Sequence, residues 1–187
     1  MDAISKSSKI EKIIKLTLIT LAGTILITIS AKVKIPFYPV PMTMQTFVIL
    51  LIGITLGKKI GVATVALYLL EGIVGLPVFA SSPEKGIGIT YFIGPTMGYL
   101  LGFLVAAYIA GSFNYDKGII NTFLKLIFSV SFIYILGLIW LGILIGWDKP
   151  IFTLGAQPFL LAELFKILLL LVLTPKLLKV RKLIKTI

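Results

Sequence analysis

Polar residues are confined to short intervals of this chain, and between them lie six apolar runs, at about 13–32, 43–57, 60–79, 95–113, 119–146 and 157–174. A helix that crosses a bilayer needs about 20 mostly apolar residues. The runs therefore predict an all-α integral membrane protein, a bundle of about six transmembrane helices forming a single domain over 1–187. The second run is the shortest. It follows Lys34-Ile-Pro-Phe-Tyr-Pro-Val-Pro41, where three prolines remove backbone donors and hold the chain extended, which predicts a loop folded back against the bundle. The first run follows a basic stretch, as in a signal peptide, but leads straight into further apolar segments and is read as a span.

Composition narrows the class. Of the 187 residues, 58% are hydrophobic and 13% charged, with a mean hydropathy of +1.10; a soluble domain carries about a quarter charged residues. Six spans leave no length for a soluble catalytic domain. A net charge of +11 would suggest nucleic acid in a soluble protein, but these basic residues stand at the ends of apolar runs, where topology anchors stand. The expected surrounding is a lipid bilayer, with no nucleic acid. Thirteen of the 18 Lys and Arg residues (Lys6, Lys9, Lys12, Lys15, Lys58, Lys59, Lys117, Lys125, Lys176, Lys179, Arg181, Lys182, Lys185) fall on one side of the predicted bundle, and four (Lys32, Lys34, Lys85, Lys149) on the other. The positive-inside rule then puts both termini in the cytoplasm, and Trp140 and Trp147 suit an interfacial belt at the outer end of the fifth span. The chain has no Cys and no His, which removes disulfides, thiol nucleophiles, zinc clusters and Ser/His triads; no metal site and no cofactor is expected.

Small residues recur every four positions, at Gly53, Gly57 and Gly61 and again at Gly94, Gly98, Gly102, Ala106 and Ala110. Such stripes let helix backbones approach closely in a membrane, without saying which helices meet.

Three ionisable residues lie inside apolar runs: Glu71 in the third, Glu163 and Lys166 in the sixth. At a span centre each costs about 2.5–3.5 kcal/mol on insertion scales, so such residues face a protected interior or a cavity. Glu163 and Lys166 are three apart on one helix face and can simply pair with each other. A buried ion pair seldom stabilises relative to apolar packing, however, and Glu71 adds polar capacity beyond one pair. These charges point to a ligand site. Tyr38, Glu84, Lys85, Tyr91 and Gln157 flank the spans on the predicted outer side, so the expected pocket opens outward and takes a small amphipathic molecule. There is no G-x-x-x-x-G-K-[ST] phosphate loop, so uphill transport would need a motor on another chain.

The segment Gly75–Phe103, GLPVFASSPEKGIGITYFIGPTMGYLLGF, resembles the central signature of the BioY family, the substrate-binding (S) subunits of biotin energy-coupling-factor (ECF) transporters. The early IPFYPVPMTMQTF, Ile35–Phe47, and the late QPFLLAELFK, Gln157–Lys166, are similar to that family as well. The resemblance implies a non-enzymatic six-helix S component in a prokaryotic plasma membrane. It would capture biotin from outside and pass it inward together with a transmembrane coupling protein and two ATPase subunits. Biotin has a cyclic urea, an apolar ring and a carboxylate tail. The matching positions suggest Glu163 and Lys166 near the ring system, Glu71 as a further polar contact, Lys85 for the carboxylate, and Tyr91 and Gln157 in support. The chain departs from the family at Ala162-Glu163, where members often carry Gly-Asp, at Ser81-Ser82, where they often carry a Gly pair, and on the first span, where Thr20, Thr24 and Thr28 stand for an Ala-x-x-x-Ala pattern.

Other readings are an S subunit for a different vitamin, which would change the urea-binding pattern, and a structural membrane protein whose internal charges form a static network. An intramembrane enzyme has the least support, since the acids stand without His or Cys and no catalytic motif is present.

Overall fold

A computed structural model describes residues 2–185, with side chains described from 10 to 184; Lys6, Lys9 and Lys185 of the charge count lie outside the described side chains. The backbone is a helical bundle. Helix α1 (Asp2–Lys32) leads into a short antiparallel ladder, β1 (Lys34–Ile35) with β2 (Met42–Thr43), followed by α2 (Gln45–Ile73), α3 (Gly88–Phe92), α4 (Met97–Ser112), α5 (Gly118–Ile145), α6 (Ile151–Gly155), a 3₁₀ turn (Gln157–Phe159) and α7 (Leu160–Lys185). The ladder pairs Lys34 with Thr43 and Ile35 with Met42, so the proline-rich loop turns back on itself as its sequence predicts.

Helix α2 is two arms. Gly57 has φ 75° and ψ 174°, a region essentially reserved for glycine, and the chain reverses there: a Cβ on Gly61 would lie 3.4 Å from the Gly53 Cα, whereas eight residues of continuous helix would separate them by about 12 Å. The second and third predicted spans are thus the arms 45–56 and 58–73 of one hairpin. Gly53 also meets α4, where an added Cβ would stand 2.8 Å from the Ala107 carbonyl oxygen. The second stripe seats α4 on α5: a Cβ on Gly102 would lie 2.6 Å from the Ile133 Cα, and Trp140 Nε1 donates to the Gly94 carbonyl (2.9 Å).

Two predicted boundaries need correction. The third span ends at Ile73, not residue 79, because Gly75 takes φ 110° and Pro77 follows; residues 74–87 form an irregular loop. The last helix begins at Leu160, after the 3₁₀ turn, and runs past Pro175 to Lys185. Among the described residues four apolar stretches have the length and composition of membrane crossings, Ile10–Lys32, Gln45–Ile73, Gly118–Ile145 and Ile151–Ile184, of which Gln45–Ile73 holds both arms of the Gly57 hairpin; α4 is a shorter apolar helix.

Basic residues gather at one end of the bundle. Arg181 on α7 donates to the carbonyls of Gly111 (2.7 Å), Ile54 and Phe113 (3.5 Å each), beside the Gly57 turn that carries Lys58 and Lys59. It thereby satisfies carbonyls that the ends of α4 and the first α2 arm leave open. At the opposite end Lys32 Nζ donates to the carbonyls of Phe79 and Ser82 (both 2.7 Å), and Lys34 pairs with Glu84 at 3.6 Å.

Candidate functional site

The ladder returns Thr43 to the bundle just as α2 begins, so Thr43, Gln45 and Thr46 arrive together at the first turn of α2. Opposite them α7 presents Glu163 and Lys166, one turn apart, and α5 presents Tyr134. Lys166 Nζ donates to the Thr43 carbonyl (2.7 Å), to Thr46 Oγ1 (3.0 Å) and to Glu163 Oε2 (3.4 Å). The same Glu163 oxygen accepts from Thr46 Oγ1 (3.0 Å) and Tyr134 OH (2.9 Å). Both charged residues are buried, Glu163 at 4% and Lys166 at 7% exposure. Each is therefore compensated by neutral polar groups as well as by its partner, as a buried ion pair requires. Glu163 Oε1, however, is buried with no hydrogen-bond partner among the described residues, a costly arrangement for an acceptor.

Beside this cluster lies a cavity whose wall includes Lys166, Thr43, Gln45, Thr46 and Tyr134, with Val40, Pro41 and Met42 from the proline loop, Phe79 and Ala80 from loop 74–87, Tyr91 from α3, Tyr99, Leu100 and Phe103 from α4, and Phe159. It is narrow, about 50 Å³. Small-molecule pockets run to about 300–1,000 Å³, so a bicyclic ligand enters only if a wall moves. The aromatic wall is ordered by mutual contact: Phe79 stacks on Tyr91 (centroids 5.1 Å apart, 16° between planes) and meets Tyr68 edge-on (5.6 Å). Tyr68 receives a hydrogen bond from Gln45 Nε2 (2.8 Å) and donates to the Val78 carbonyl (3.2 Å). The Ser81 N–H donates to Tyr91 OH (3.1 Å), and Tyr99 OH donates to the Gly155 carbonyl (2.8 Å). Loop 74–87 and the proline loop are the walls that no helix of their own holds.

A second cavity of about 410 Å³ adjoins the first and shares Pro41, Tyr91 and Thr96 with it. Tyr38 and Lys85 line it, with Lys85 Nζ 5.9 Å from the Tyr38 ring centroid.

Of the residues singled out from the sequence, the fold brings Glu163, Lys166 and Tyr91 to the inner cavity, Glu163 one layer behind its lining, and Lys85 with Tyr38 to the outer one. Glu71 stands in the last turn of α2 and Gln157 is exposed on the 3₁₀ turn, and neither lines either cavity. Sequence reasoning missed Thr43, Gln45, Thr46, Tyr68, Tyr99 and Tyr134 as individuals. The first three lie inside the quoted IPFYPVPMTMQTF motif; the tyrosines had only their hydroxyls, in otherwise apolar runs, to mark them.

The BioY family profile matches residues 4–183. This chain is a member of the BioY family. The BioY chain is 37% identical over 145 residues to the biotin transporter BioY of Thermotoga maritima, spanning 77% of this chain and 84% of that one. It is 34% identical over 141 residues to the probable biotin transporter BioY of Pyrococcus horikoshii, spanning 75% and 82%. Its fold matches the crystal structure of the S-component for biotin from an ECF-type ABC transporter with a TM-score of 0.76 and 25% identity, over 90% of this BioY chain and 93% of that one.

Proposed function

We propose that this chain is the biotin-capturing S component of an ECF transporter, and the observation that carries the reading is Glu163 Oε1, a buried carboxylate oxygen without a hydrogen-bond partner among the described residues, beside the cavity-lining Lys166 ammonium. A cyclic urea offers one carbonyl acceptor and two N–H donors. Lys166 already uses its three N–H groups, and the longest contact, 3.4 Å to Glu163, is the one a urea carbonyl would replace or share. That exchange leaves Glu163 lone pairs, Oε1 among them, for the urea N–H groups, each a charge-assisted bond. The apolar ring then lies against Phe79, Phe103 and Tyr91, and the acid tail points through the shared wall toward Lys85 in the outer cavity.

No nucleophile or cofactor chemistry is invoked; the work is capture and release. The chain sits in the prokaryotic plasma membrane with its basic end and both termini in the cytoplasm. A transmembrane coupling protein and two ATPase subunits supply the energy that this chain, lacking a phosphate loop, does not.

The test is equilibrium binding of labelled biotin to the detergent-purified chain, competed with other vitamins and with biotin analogues altered at the urea ring. Tight, biotin-selective binding weakened by urea alteration is expected. Folded protein with no saturable biotin binding would sink the reading, and preference for another vitamin would reassign the substrate.

A further inference from the structure

The basic end of the bundle holds a cavity that biotin capture does not use. It measures about 730 Å³ and lies between the turn after α4 and the last turns of α7. Its α7 wall is Pro175, Leu178, Lys179, Arg181 and Lys182, and all of these but Arg181 are spaced i, i+3, i+4, i+7, which is one continuous helix face. Along that face the chemistry changes: Pro175 and Leu178 come first, and Lys182 lies about 10 Å beyond Pro175 and about 6 Å beyond Leu178, toward the basic end, at 1.5 Å per residue. Phe113 continues the apolar part from the other wall.

The cations here differ in availability. Arg181 is occupied by the carbonyls of Gly111, Ile54 and Phe113, and Lys125, nearby on α5, donates to the Asn114 carbonyl and stands over the Phe113 and Tyr115 rings. Lys179 and Lys182 are exposed and have no acidic partner within ion-pair distance among the described residues. The acid on the lining is Asp116, on the facing turn. Three basic residues against one acid leave the cavity positive.

From this geometry we infer that the cavity binds a phosphate-bearing anion, and that the anion is the headgroup of an anionic phospholipid. Lys179 and Lys182 hold the phosphate, while Pro175, Leu178 and Phe113 lie along the start of the acyl chains. A free phosphate shares the headgroup's charge but has nothing to place against the apolar part of the wall. Basic pockets at the membrane surface recognise anionic headgroups by this combination.

The experiment is native mass spectrometry of the purified full chain titrated with phosphatidylglycerol, with phosphatidylcholine of the same acyl chains, and with inorganic phosphate. The wild type should retain phosphatidylglycerol at roughly tenfold or lower concentration than phosphatidylcholine, and the Lys179→Gln/Lys182→Gln pair should lose that preference. A charge-matched control, Lys58→Gln/Lys59→Gln at the Gly57 turn and outside the cavity lining, should keep it. Equal retention of the two lipids by wild type, or equal loss of preference in the control pair, overturns the proposal. Displacement of the lipid by inorganic phosphate at matched concentration overturns the lipid assignment in favour of the free anion. Biotin binding by the Lys179→Gln/Lys182→Gln variant serves as the folding check.

Discussion

Lys166 Nζ lies 2.7 Å from the carbonyl oxygen of Thr43, a residue 123 positions away, and this contact joins the last long helix to the end of β2, just ahead of α2. The ammonium therefore holds the pocket together while lining it. Its two roles separate by mutation.

Lys166→Met alone leaves the Glu163 charge buried without its cation, which costs about 3–5 kcal/mol. Adding Glu163→Gln removes that charge and should restore most of the thermal stability. Biotin affinity should stay at least tenfold down in both variants, since a hydrogen bond to a charged group contributes about 1.5–3 kcal/mol. Melting temperature and calorimetric Kd, measured together, check this. If binding returns along with stability in the double variant, the charges are a static network and not ligand contacts.

Tyr134→Phe deletes the donor 2.9 Å from Glu163 Oε2 and leaves Thr46 and Lys166 on that oxygen. The expected result is a stability loss of about 1.5–3 kcal/mol with a smaller loss of biotin affinity than Lys166→Met gives. An unchanged melting temperature would show that the Tyr134 bond contributes nothing.

Gly57→Ala forces an L-residue into φ 75°, ψ 174°, a strain of about 1–3 kcal/mol, and should lower the melting temperature while leaving biotin binding intact. Gly53→Val goes further, because its Cβ would meet the Ala107 carbonyl at 2.8 Å and Ala110 Cβ at 3.0 Å. Loss of monodisperse protein in size-exclusion chromatography is expected for Gly53→Val only.

Lys32 sits outside the pocket lining, yet it holds two carbonyls of the loop that supplies Phe79. Lys32→Met should release that wall and raise the biotin dissociation rate several-fold, with Lys32→Arg restoring it in part. Stopped-flow displacement reads the rate. A dissociation rate equal to wild type in Lys32→Met would remove Lys32 from the positioning of the wall.

The sequence made some of this legible because the signals were local. Apolar runs reported six helical passes, and three prolines in eight residues reported a folded-back loop. Two charges three apart in an apolar helix reported a polar interior. The Gly53, Gly57, Gly61 spacing reported close packing but not its form, since one regular stripe fits two separate helices as well as a hairpin with Gly57 at its turn. Glu71 carried the same signal as Glu163, a lone acid in an apolar run, yet stands in a terminal turn away from both cavities.

By itself, then, the sequence determined the membrane class, the pass count, the asymmetry of basic charge and the candidacy of Glu163 and Lys166, because hydropathy and helical spacing act over one or two turns. Only the tertiary structure decided that Thr43 and Thr46 meet Lys166, that Phe79 stacks on Tyr91, that Arg181 caps carbonyls of two helix ends, and that Glu163 Oε1 has no hydrogen-bond partner among the described residues. Those facts depend on how helices far apart in the chain pack, and no local periodicity encodes which side chains a neighbouring helix will offer.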